Sequence, residues 1–249
     1  MKERHLLILN MINEKGKVSV QELSEALKLS MVTIRKDLEE LESQGLLRRQ
    51  HGYAVKASPD SINSRMAIHY PEKKAIAQTA VALVEPMETI MIESGSTCAL
   101  FALEAALEKD VTIITNSAYI ARYLNQVPMA HIILLGGDYD AVAEVTTGPV
   151  TQLCAQEYHV NKLFVGVDGY TEENGFTNVN HTRSCVVKDL AKRADQVIVL
   201  TTSDKFGRQS VAKLFSSEEV HTVVTDSSLP DEYKKIMESH GIHVEITDI

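Results

Sequence analysis

The chain has 249 residues, of which 44% are hydrophobic and 24% charged, as in ordinary globular domains. Its formal net charge is −9 and it holds no run of about 18 apolar residues, so we expect no membrane span and no membrane partner. The odd number and wide spacing of Cys98, Cys154 and Cys185 predict reduced thiols in a cytoplasmic protein. His240 and His243 lack a third ligand, so the sequence predicts neither a metal site nor a cofactor.

The net charge is divided unevenly along the chain. Residues 1–57 hold ten Lys and Arg against eight Asp and Glu, a net charge of +2, which leaves −11 for the remainder. A mildly basic head on an acidic body is expected of a protein that contacts nucleic acid with one end only.

The N-terminal pattern begins with an amphipathic helix over residues 3–13. Val18 and Val20 alternate around Ser19 and predict a very short strand, before a second helix begins at Gln21. The apolar face of the first helix is predicted to comprise Leu6, Leu7, Leu9 and Ile12.

A third helix begins at Ser30 and buries Ile34, Leu38 and Leu41, which are spaced i, i+4, i+7. Its other face is polar and cationic, and a basic ribbon follows the helix stop at Gly45. A helix of this kind reads the major groove of double-stranded DNA while the ribbon meets phosphates. This pattern predicts a winged helix-turn-helix that binds DNA. A head that binds another protein is less favoured, because the cationic side chains of this helix and ribbon are expected to be exposed. The candidate DNA contacts are Ser30, Met31, Thr33, Arg35, Lys36, Arg48, Arg49, Gln50, His51, Gly52 and Tyr53.

Polar residues 58–72 predict a linker, which divides the chain into a head over 1–57 and a larger domain over 73–249. In the larger domain, short apolar runs alternate with helical patterns, which predicts an α/β fold with a largely parallel sheet covered on both faces. The predicted strands are Thr89–Ile92, Val111–Thr115, His131–Leu135, Lys162–Val167, Val197–Thr201 and Thr222–Thr225.

Polar and glycine-rich loops follow five of these strands, where ligands bind on parallel sheets. ESGST at 93–97 directly precedes a helix, so its hydroxyl and N–H groups are suited to a phosphate. ITNS, LLGGD, VGVDGY and SDKFGR follow the later strands, and the last supplies Lys205. The need for helix-capping and turn residues alone would explain any one of these loops. Five such loops at equivalent positions after the strands favour a pocket for a phosphorylated ligand.

The head resembles that of DeoR/GlpR-type bacterial transcription regulators. In that family the Thr-Ile-Arg-Lys-Asp-Leu run starts the recognition helix and a His-Gly-Gly run forms the wing. Tyr53 stands in place of the second glycine, so the resemblance leaves the shape of the wing tip open. The matching residues are Arg4, Gly16-Lys17-Val18-Ser19-Val20, Glu22-Leu23, Ser30, Thr33-Ile34-Arg35-Lys36-Asp37-Leu38, Leu41, Gly45-Leu46-Leu47-Arg48-Arg49 and His51-Gly52.

The remainder resembles the effector domain of the same family, whose fold is similar to that of ribose-phosphate isomerases and glucosamine-phosphate deaminases. The departures are Glu93 and Thr202, where the family has Asp, and the segment from His181 to Arg183, which lacks an acidic residue and adds possible anion partners. When the possible anion partners His181 and Arg183 are included, the candidate effector site comprises Ser94, Gly95, Ser96, Thr97, Asn116, Ser117, Gly136, Gly137, Asp168, Gly169, His181, Arg183 and Lys205.

The function expected from these patterns and this resemblance is a repressor of carbohydrate metabolism genes that binds operator DNA as a homo-oligomer, a dimer or tetramer. A small phosphorylated sugar or a related anionic metabolite is expected to release it, and the sequence leaves an activating or dual role open. The alternative is an isomerase or deaminase with an accessory DNA-binding head. Asp138, Asp168, Asp204 and Lys205 could serve such an enzyme, but they form no recognisable constellation, so we expect no catalytic residues.

Overall fold

The N-terminal elements follow the order of a winged helix-turn-helix, as predicted. The computed structural model describes residues 3–43, 46–56, 62–128 and 130–248; the predicted helix stop at Gly45 and the start of the predicted linker lie outside them. The chain divides into two compact units, Met1–Tyr70 and Pro71–Ile249. The elements of the head are α1 (Glu3–Lys15), β1 (Lys17–Ser19), α2 (Val20–Leu27), α3 (Met31–Ser43), β2 (Leu47–Gln50) and β3 (Tyr53–Lys56).

Local capping sets the start of α2. The Ser19 hydroxyl accepts the backbone N–H of Glu22 (3.1 Å), and the Glu22 carboxylate accepts the backbone N–H of Ser19 (2.8 Å), which forms a capping box. Val20 therefore belongs to the helix rather than to the predicted strand. The helix ends at Lys28, which takes the left-handed conformation (φ 54°), and the chain turns into α3.

The core of the head comprises the apolar faces of the three helices. Ile34, Leu38 and Leu41 are fully buried, as their spacing predicted. On α1 the prediction was wrong for Leu7, which is 47% exposed, because the buried positions follow the i, i+3, i+4, i+7 rule from a different start. They are His5, Ile8, Leu9 and Ile12.

The wing is a hairpin of β2 and β3, with β1 paired to the far side of β3. Its turn residues His51 and Gly52 both have positive φ, 45° and 85°, as a two-residue turn of type I′ requires. Tyr53 is already the first residue of β3, paired with Gln50. The position where the family has a second glycine therefore needs no positive φ, and tyrosine fits there without strain.

The predicted linker contains a further helix, α4 (Ile62–Ala67). Ile62, Met66 and Ala67 are buried, and Ala67 belongs to the core of the head. The division between the two units falls after Tyr70, where α5 (Tyr70–Ala80) begins.

The larger domain is built on a seven-stranded parallel sheet with the order β15-β14-β12-β9-β4-β5-β6. Sequence patterns predicted six of these strands and missed β15, in which His243 and Glu245 interrupt the apolar run. The strands are β4 (Thr89–Ile92), β5 (Thr112–Thr115), β6 (His131–Leu134), β9 (Val160–Val165), β12 (Ala194–Leu200), β14 (Thr222–Asp226) and β15 (His243–Thr247).

Helices and two small antiparallel sheets complete the domain. The small sheets are β7–β8 (Asp138–Asp140, Val145–Thr147) and β10–β11–β13 (Gly169–Thr171, Gly175–Asn178, Ala212–Phe215). The helices after α5 are α6 (Ser96–Lys109), α7 (Ala118–Tyr123), α8 (Gly148–Gln156), α9 (His181–Ala191) and α10 (Asp231–Ser239). No helix in the described residues is both long and apolar enough to cross a bilayer.

The direction in which the sheet grows reverses at β4. From β4 the chain adds β5 and β6 on one side, then returns to the other side of β4 for β9, β12, β14 and β15. The crevice between the loops after β4 and β9 is thus the topological switch point, where open parallel sheets bind ligands.

Candidate functional site

The head exposes the leading end of α3. The Ser30 hydroxyl accepts the Thr33 backbone N–H (3.1 Å), so the helix is capped as its sequence predicted. Met31 is 47% exposed, and the side chains of Arg35 and Lys36 are also exposed. Among the described residues neither Arg35 nor Lys36 has an ion-pair partner, so both cations remain available to a ligand such as DNA.

An ion pair between the partly exposed Arg4 and the buried Asp37 holds α3 on α1. The Arg4 guanidinium donates from Nε and Nη2 to the two carboxylate oxygens of Asp37 (2.7 and 2.8 Å), and His5 Nε2 lies 3.0 Å from the same carboxylate. Hydrogen bonding to Arg4 is the main reason that the pKa of Asp37 is lowered. Asp37 is 2% exposed, so within the Arg-Lys-Asp run it orients the helix rather than facing DNA. His5, Asp37 and Glu40 also lie close enough to hold a metal ion, but the Arg4 fork already occupies both Asp37 oxygens.

The two wing arginines, adjacent in sequence, have different surroundings. Arg48 is exposed and has no ion-pair partner in the described chain. The Arg49 guanidinium instead donates to Glu42 (2.7 Å) and Glu39 (2.9 Å) of α3, and its backbone N–H donates to Glu42 (2.7 Å). Backbone and side-chain hydrogen bonds from Arg49 lower the pKa of Glu42. Arg49 therefore ties the wing to α3, a role that sequence reasoning missed.

Tyr53 lies on the side of the wing that faces β1. The ammonium of Lys17 is 4.1 Å from the centroid of the Tyr53 ring, and Tyr53 is 40% exposed. A groove of about 280 Å³ runs between α3 and the wing. Gln50, His51 and Gly52 are exposed at the wing tip.

In the larger domain, the five predicted loops lie side by side. They follow β12, β9, β4, β5 and β6, which are consecutive strands of one parallel sheet, so their carboxyl ends share one edge. This edge brings together the candidate residues at 94–97, 116–117, 136–137, 168 and 205.

At the switch point, a buried carboxylate joins the loops after β4 and β9. Glu93 is 6% exposed; its Oε1 accepts the Ser94 hydroxyl (2.8 Å) and its Oε2 accepts the Gly166 backbone N–H (3.1 Å). Gly95 is the N-cap of α6 and offers no side-chain cap, so the first N–H groups of this 14-residue helix keep their capacity to bind an anion.

The loop after β5 combines a helix cap with an unsatisfied amide. Ser117 Oγ accepts the Ile120 backbone N–H (3.1 Å) and so caps α7. Asn116 donates from Nδ2 to the carbonyl of Thr146 (3.0 Å), while its Oδ1, although buried, has no hydrogen-bond partner among the described residues.

The glycines after β6 serve the packing of α8. Thr151 Oγ1 donates to the Gly136 carbonyl (2.7 Å). Gly137 has φ +142°, and a Cβ there would lie 1.9 Å from Thr151 Oγ1. Gly137 thus allows the close approach of a side chain of α8, whereas a Cβ at Gly136 would meet only the Cys154 sulfur, at 3.9 Å; the approach of a ligand to these glycines stays a prediction.

The loop after β9 is held by the segment that leads into α9. Asp168 Oδ2 accepts the Val179 backbone N–H (3.0 Å), which brings the start of α9 to this edge. Arg183 is half-buried there, and His181 is exposed. Gly169, in contrast, is required by packing, because a Cβ would lie 2.4 Å from the carbonyl oxygen of Arg208.

After β12, Lys205 donates to Asp204 (2.8 Å), which also accepts the Thr202 hydroxyl (2.5 Å). A carboxylate therefore lies beside Thr202, the position at which the resemblance implied an Asp. Asp204 is thus a further candidate at this edge; the sequence-based effector list lacked it, although the sequence analysis named it as a group that could serve an enzyme.

A winged helix-turn-helix with free cations, followed by an α/β domain with a polar strand edge, defines a DNA-binding protein of the sensor type. Comparisons agree: residues 4–60 match the DeoR-like helix-turn-helix domain, and residues 68–227 match the DeoR C terminal sensor domain. The chain belongs to the DeoR family and is a DNA-binding transcriptional regulator.

Relatives match along nearly the whole chain. It is 30% identical to the HTH-type transcriptional regulator GolR of Listeria innocua, over 99% of this chain and 98% of that protein. It is 31% identical to the L-fucose operon activator of Haemophilus influenzae, over 97% and 98%. Among solved structures, ribose 5-phosphate isomerase A from Methanocaldococcus jannaschii is 24% identical, over 54% of this chain and 53% of that one, with a TM-score of 0.40.

Proposed function

We propose that this regulator represses carbohydrate metabolism genes and releases operator DNA when a phosphorylated sugar binds at the carboxyl edge of the sheet. The observation that carries the proposal is the alignment of five polar loops on consecutive strands, beside an α6 N-terminus without a side-chain cap. A dianion at such a terminus meets several N–H groups and the positive end of the helix dipole. The names of relatives support the carbohydrate assignment, since they include an L-fucose operon activator and a lactose phosphotransferase system repressor.

The contacts proposed for the ligand follow from this geometry. The phosphate lies at residues 95–97, and Lys205 and Arg183 supply positive charge from the neighbouring loops. Sugar hydroxyls bind the carboxylates of Glu93 and Asp204 and the amide of Asn116. Glu93 and Asp204 already accept internal hydrogen bonds, which orient their remaining lone pairs.

On the DNA side, Arg35 and Lys36 enter the major groove and Arg48 meets a phosphate. One winged helix makes few contacts, so operator affinity requires two heads on a homo-oligomer. The ligand releases DNA only if it binds more tightly to the arrangement of heads that cannot hold the operator.

The experiment is fluorescence anisotropy with labelled DNA from beside the protein's own coding sequence, titrated with a panel of sugar phosphates at physiological salt. Nanomolar binding that one compound reverses supports both parts of the proposal. Tight binding that no compound alters refutes the ligand class and leaves DNA binding intact.

An enzyme is the second candidate, because the same edge holds Glu93, Asp204 and Lys205, and isomerisation requires a positioned acid and base. Turnover assays with pentose and hexose phosphates distinguish the two functions. A regulator binds these compounds without converting them, whereas measurable turnover abolished by Glu93→Gln would establish the enzyme.

A further inference from the structure

A sixth strand of the sheet adds a buried carboxylate to the carboxyl edge. Strand β14 lies parallel to β12 and next to it, so the loop after β14 lies beside the loop that carries Asp204 and Lys205. The last residue of β14 is Asp226, which is 1% exposed. Asp226 is therefore placed to act on the turn that follows β12.

The hydrogen bonds of Asp226 go mainly to that turn. Its Oδ2 accepts the backbone N–H of Ser203 (2.7 Å), and its Oδ1 accepts the Ser203 hydroxyl (2.7 Å). A longer bond, from the Ser228 N–H to Oδ1 (3.1 Å), is local. A carboxylate that served its own loop alone would need the Ser228 bond and no more. The two shorter bonds reach a residue 23 positions earlier, so Asp226 joins two loops.

The turn that Asp226 holds is a single 3₁₀ turn, Ser203–Lys205. Its own hydrogen bonds come from the backbone N–H groups of Lys205 (3.1 Å) and Phe206 (3.2 Å). These bonds fix the internal shape of the turn, because they join residues within it and directly beside it. The bonds from Asp226 fix its position against the sheet, and with it the direction of the Lys205 side chain.

We propose that Asp226 is a positioning residue of the effector site, which acts through the turn that carries Asp204 and Lys205. Both of these side chains are partly exposed, whereas Asp226 is too buried to meet an effector itself. Binding groups must be held to within about 0.5 Å of their productive positions, so the bonds that support them contribute to affinity. The inference rests on the proposed function, since it takes Lys205 as a contact of the phosphate.

Two variants loosen the turn to different degrees. In Asp226→Asn the amide offers one oxygen and a donor group in place of two acceptor oxygens, so one donor of Ser203 loses its acceptor. Ser203→Ala is milder, because it removes the hydroxyl bond and keeps the bond from the backbone N–H. Thermal unfolding checks that each protein is folded.

The matched control is Glu88→Gln. The Glu88 side chain is 9% exposed, and its carboxylate accepts the Lys162 ammonium (3.0 Å) and the Glu85 N–H (2.9 Å). Glu88 directly precedes β4, so it lies at the amino end of the same sheet, away from the carboxyl edge. The substitution therefore makes the same chemical change to a buried, hydrogen-bonded carboxylate without touching the site.

The first measurement is hydrogen exchange of the backbone amides of residues 203–206, without sugar phosphate and without DNA. Exchange should be faster by about tenfold or more in Asp226→Asn than in the native chain, and unchanged in Glu88→Gln. Equal protection in Asp226→Asn and the native chain would overturn the inference, whatever binds at the edge.

The second measurement is titration calorimetry with pentose and hexose phosphates, and the probe is the member of that panel that binds the native chain most tightly. Asp226→Asn should weaken its binding by about tenfold and Ser203→Ala by about threefold, while Glu88→Gln leaves it unchanged. Operator affinity without sugar phosphate should stay native in all three variants, because the head is a separate compact unit.

A double-mutant cycle with Lys205→Gln separates positioning from a general loss of stability. If Asp226 acts through the turn, Asp226→Asn should weaken binding of the probe much less when Lys205 is already replaced. Equal losses in both backgrounds would overturn the inference, and so would native affinity of Asp226→Asn or an equal loss in Glu88→Gln. If no sugar phosphate binds the native chain, the proposed function is refuted, and the exchange measurement still decides whether Asp226 holds the turn.

Discussion

Replacing Arg49 with Gln tests whether the two wing arginines act differently. The substitution removes the guanidinium bonds to Glu42 and Glu39 and keeps the bond from the backbone N–H of residue 49. The side chains are partly exposed, 37% for Arg49, 35% for Glu42 and 59% for Glu39. Each pair therefore contributes only about 0.2–1 kcal/mol, and the two together hold the wing with about 1 kcal/mol.

A loss of about 1 kcal/mol lowers affinity for operator DNA by about fivefold, because the wing is held less often in its binding position. This loss should vary much less with salt than the loss of a phosphate contact, since no counterion is released from DNA; screening of the partly exposed ion pairs only reduces it at higher salt. Arg48→Gln instead removes the proposed phosphate contact, and it should reduce the slope of log affinity against log salt by about 0.9.

The assay is fluorescence anisotropy of the operator complex at salt concentrations from about 50 to about 200 mM. Arg48→Gln is the matched control, because it makes the same chemical change one residue away. If Arg49→Gln flattens the salt slope as much as Arg48→Gln does, the Arg49 guanidinium contacts DNA and the reasoning is wrong.

Three further predictions concern the packing. Because the pKa of Asp37 is lowered in the folded head, its carboxylate stabilises the head at pH values above the ordinary carboxyl pKa. This stabilisation is lost as the pH falls through the lowered pKa. Asp37→Asn should therefore lower the free energy of unfolding by about 2–3 kcal/mol at neutral pH. In urea unfolding, the free energy of the variant should also fall less steeply than that of the native chain below about pH 4. An equally steep fall in both proteins would contradict this reasoning. Gly137→Ala should lower the free energy of unfolding by about 1–3 kcal/mol, because the added Cβ would collide with Thr151. Gly136→Ala should lower it much less, since the Cβ there would meet only a sulfur at 3.9 Å. Equal shifts of the melting temperature in the two variants would refute this explanation. Tyr53→Leu should lower the free energy of unfolding in urea by about 0.5–1 kcal/mol, and Tyr53→Phe should leave it almost unchanged, because phenylalanine keeps the ring that the Lys17 ammonium contacts. Equal stability of the two variants would show that this contact contributes nothing.

Some local patterns predicted the structure correctly, and others did not. The spacing of Ile34, Leu38 and Leu41 identified the buried face of α3, and Ser30 identified its start. The same reasoning failed for Leu7, because four apolar residues in a row leave the phase of the helix ambiguous until neighbouring helices decide which side is covered.

The candidate site at the strand edge was predictable in kind and not in arrangement. Polar loops after buried strands signal a ligand edge whatever the strand order. The order of the strands in the sheet places the loop after β9 next to the loop after β4. Glu93 therefore accepts the backbone N–H of Gly166, which is 73 positions away in the sequence. Strand β15 was missed because His243 and Glu245 hide its apolar alternation.

The sequence by itself determined the two domains' character: a basic winged head, a parallel α/β body and polar loops at the strand ends. These follow from helical and strand periodicity and from capping residues, which act over a few positions. Only the tertiary structure decided which charges are used internally. Arg48 and Arg49 are identical and adjacent, yet only Arg49 reaches Glu39 and Glu42, because successive side chains of a strand point to opposite faces and α3 packs against one of them.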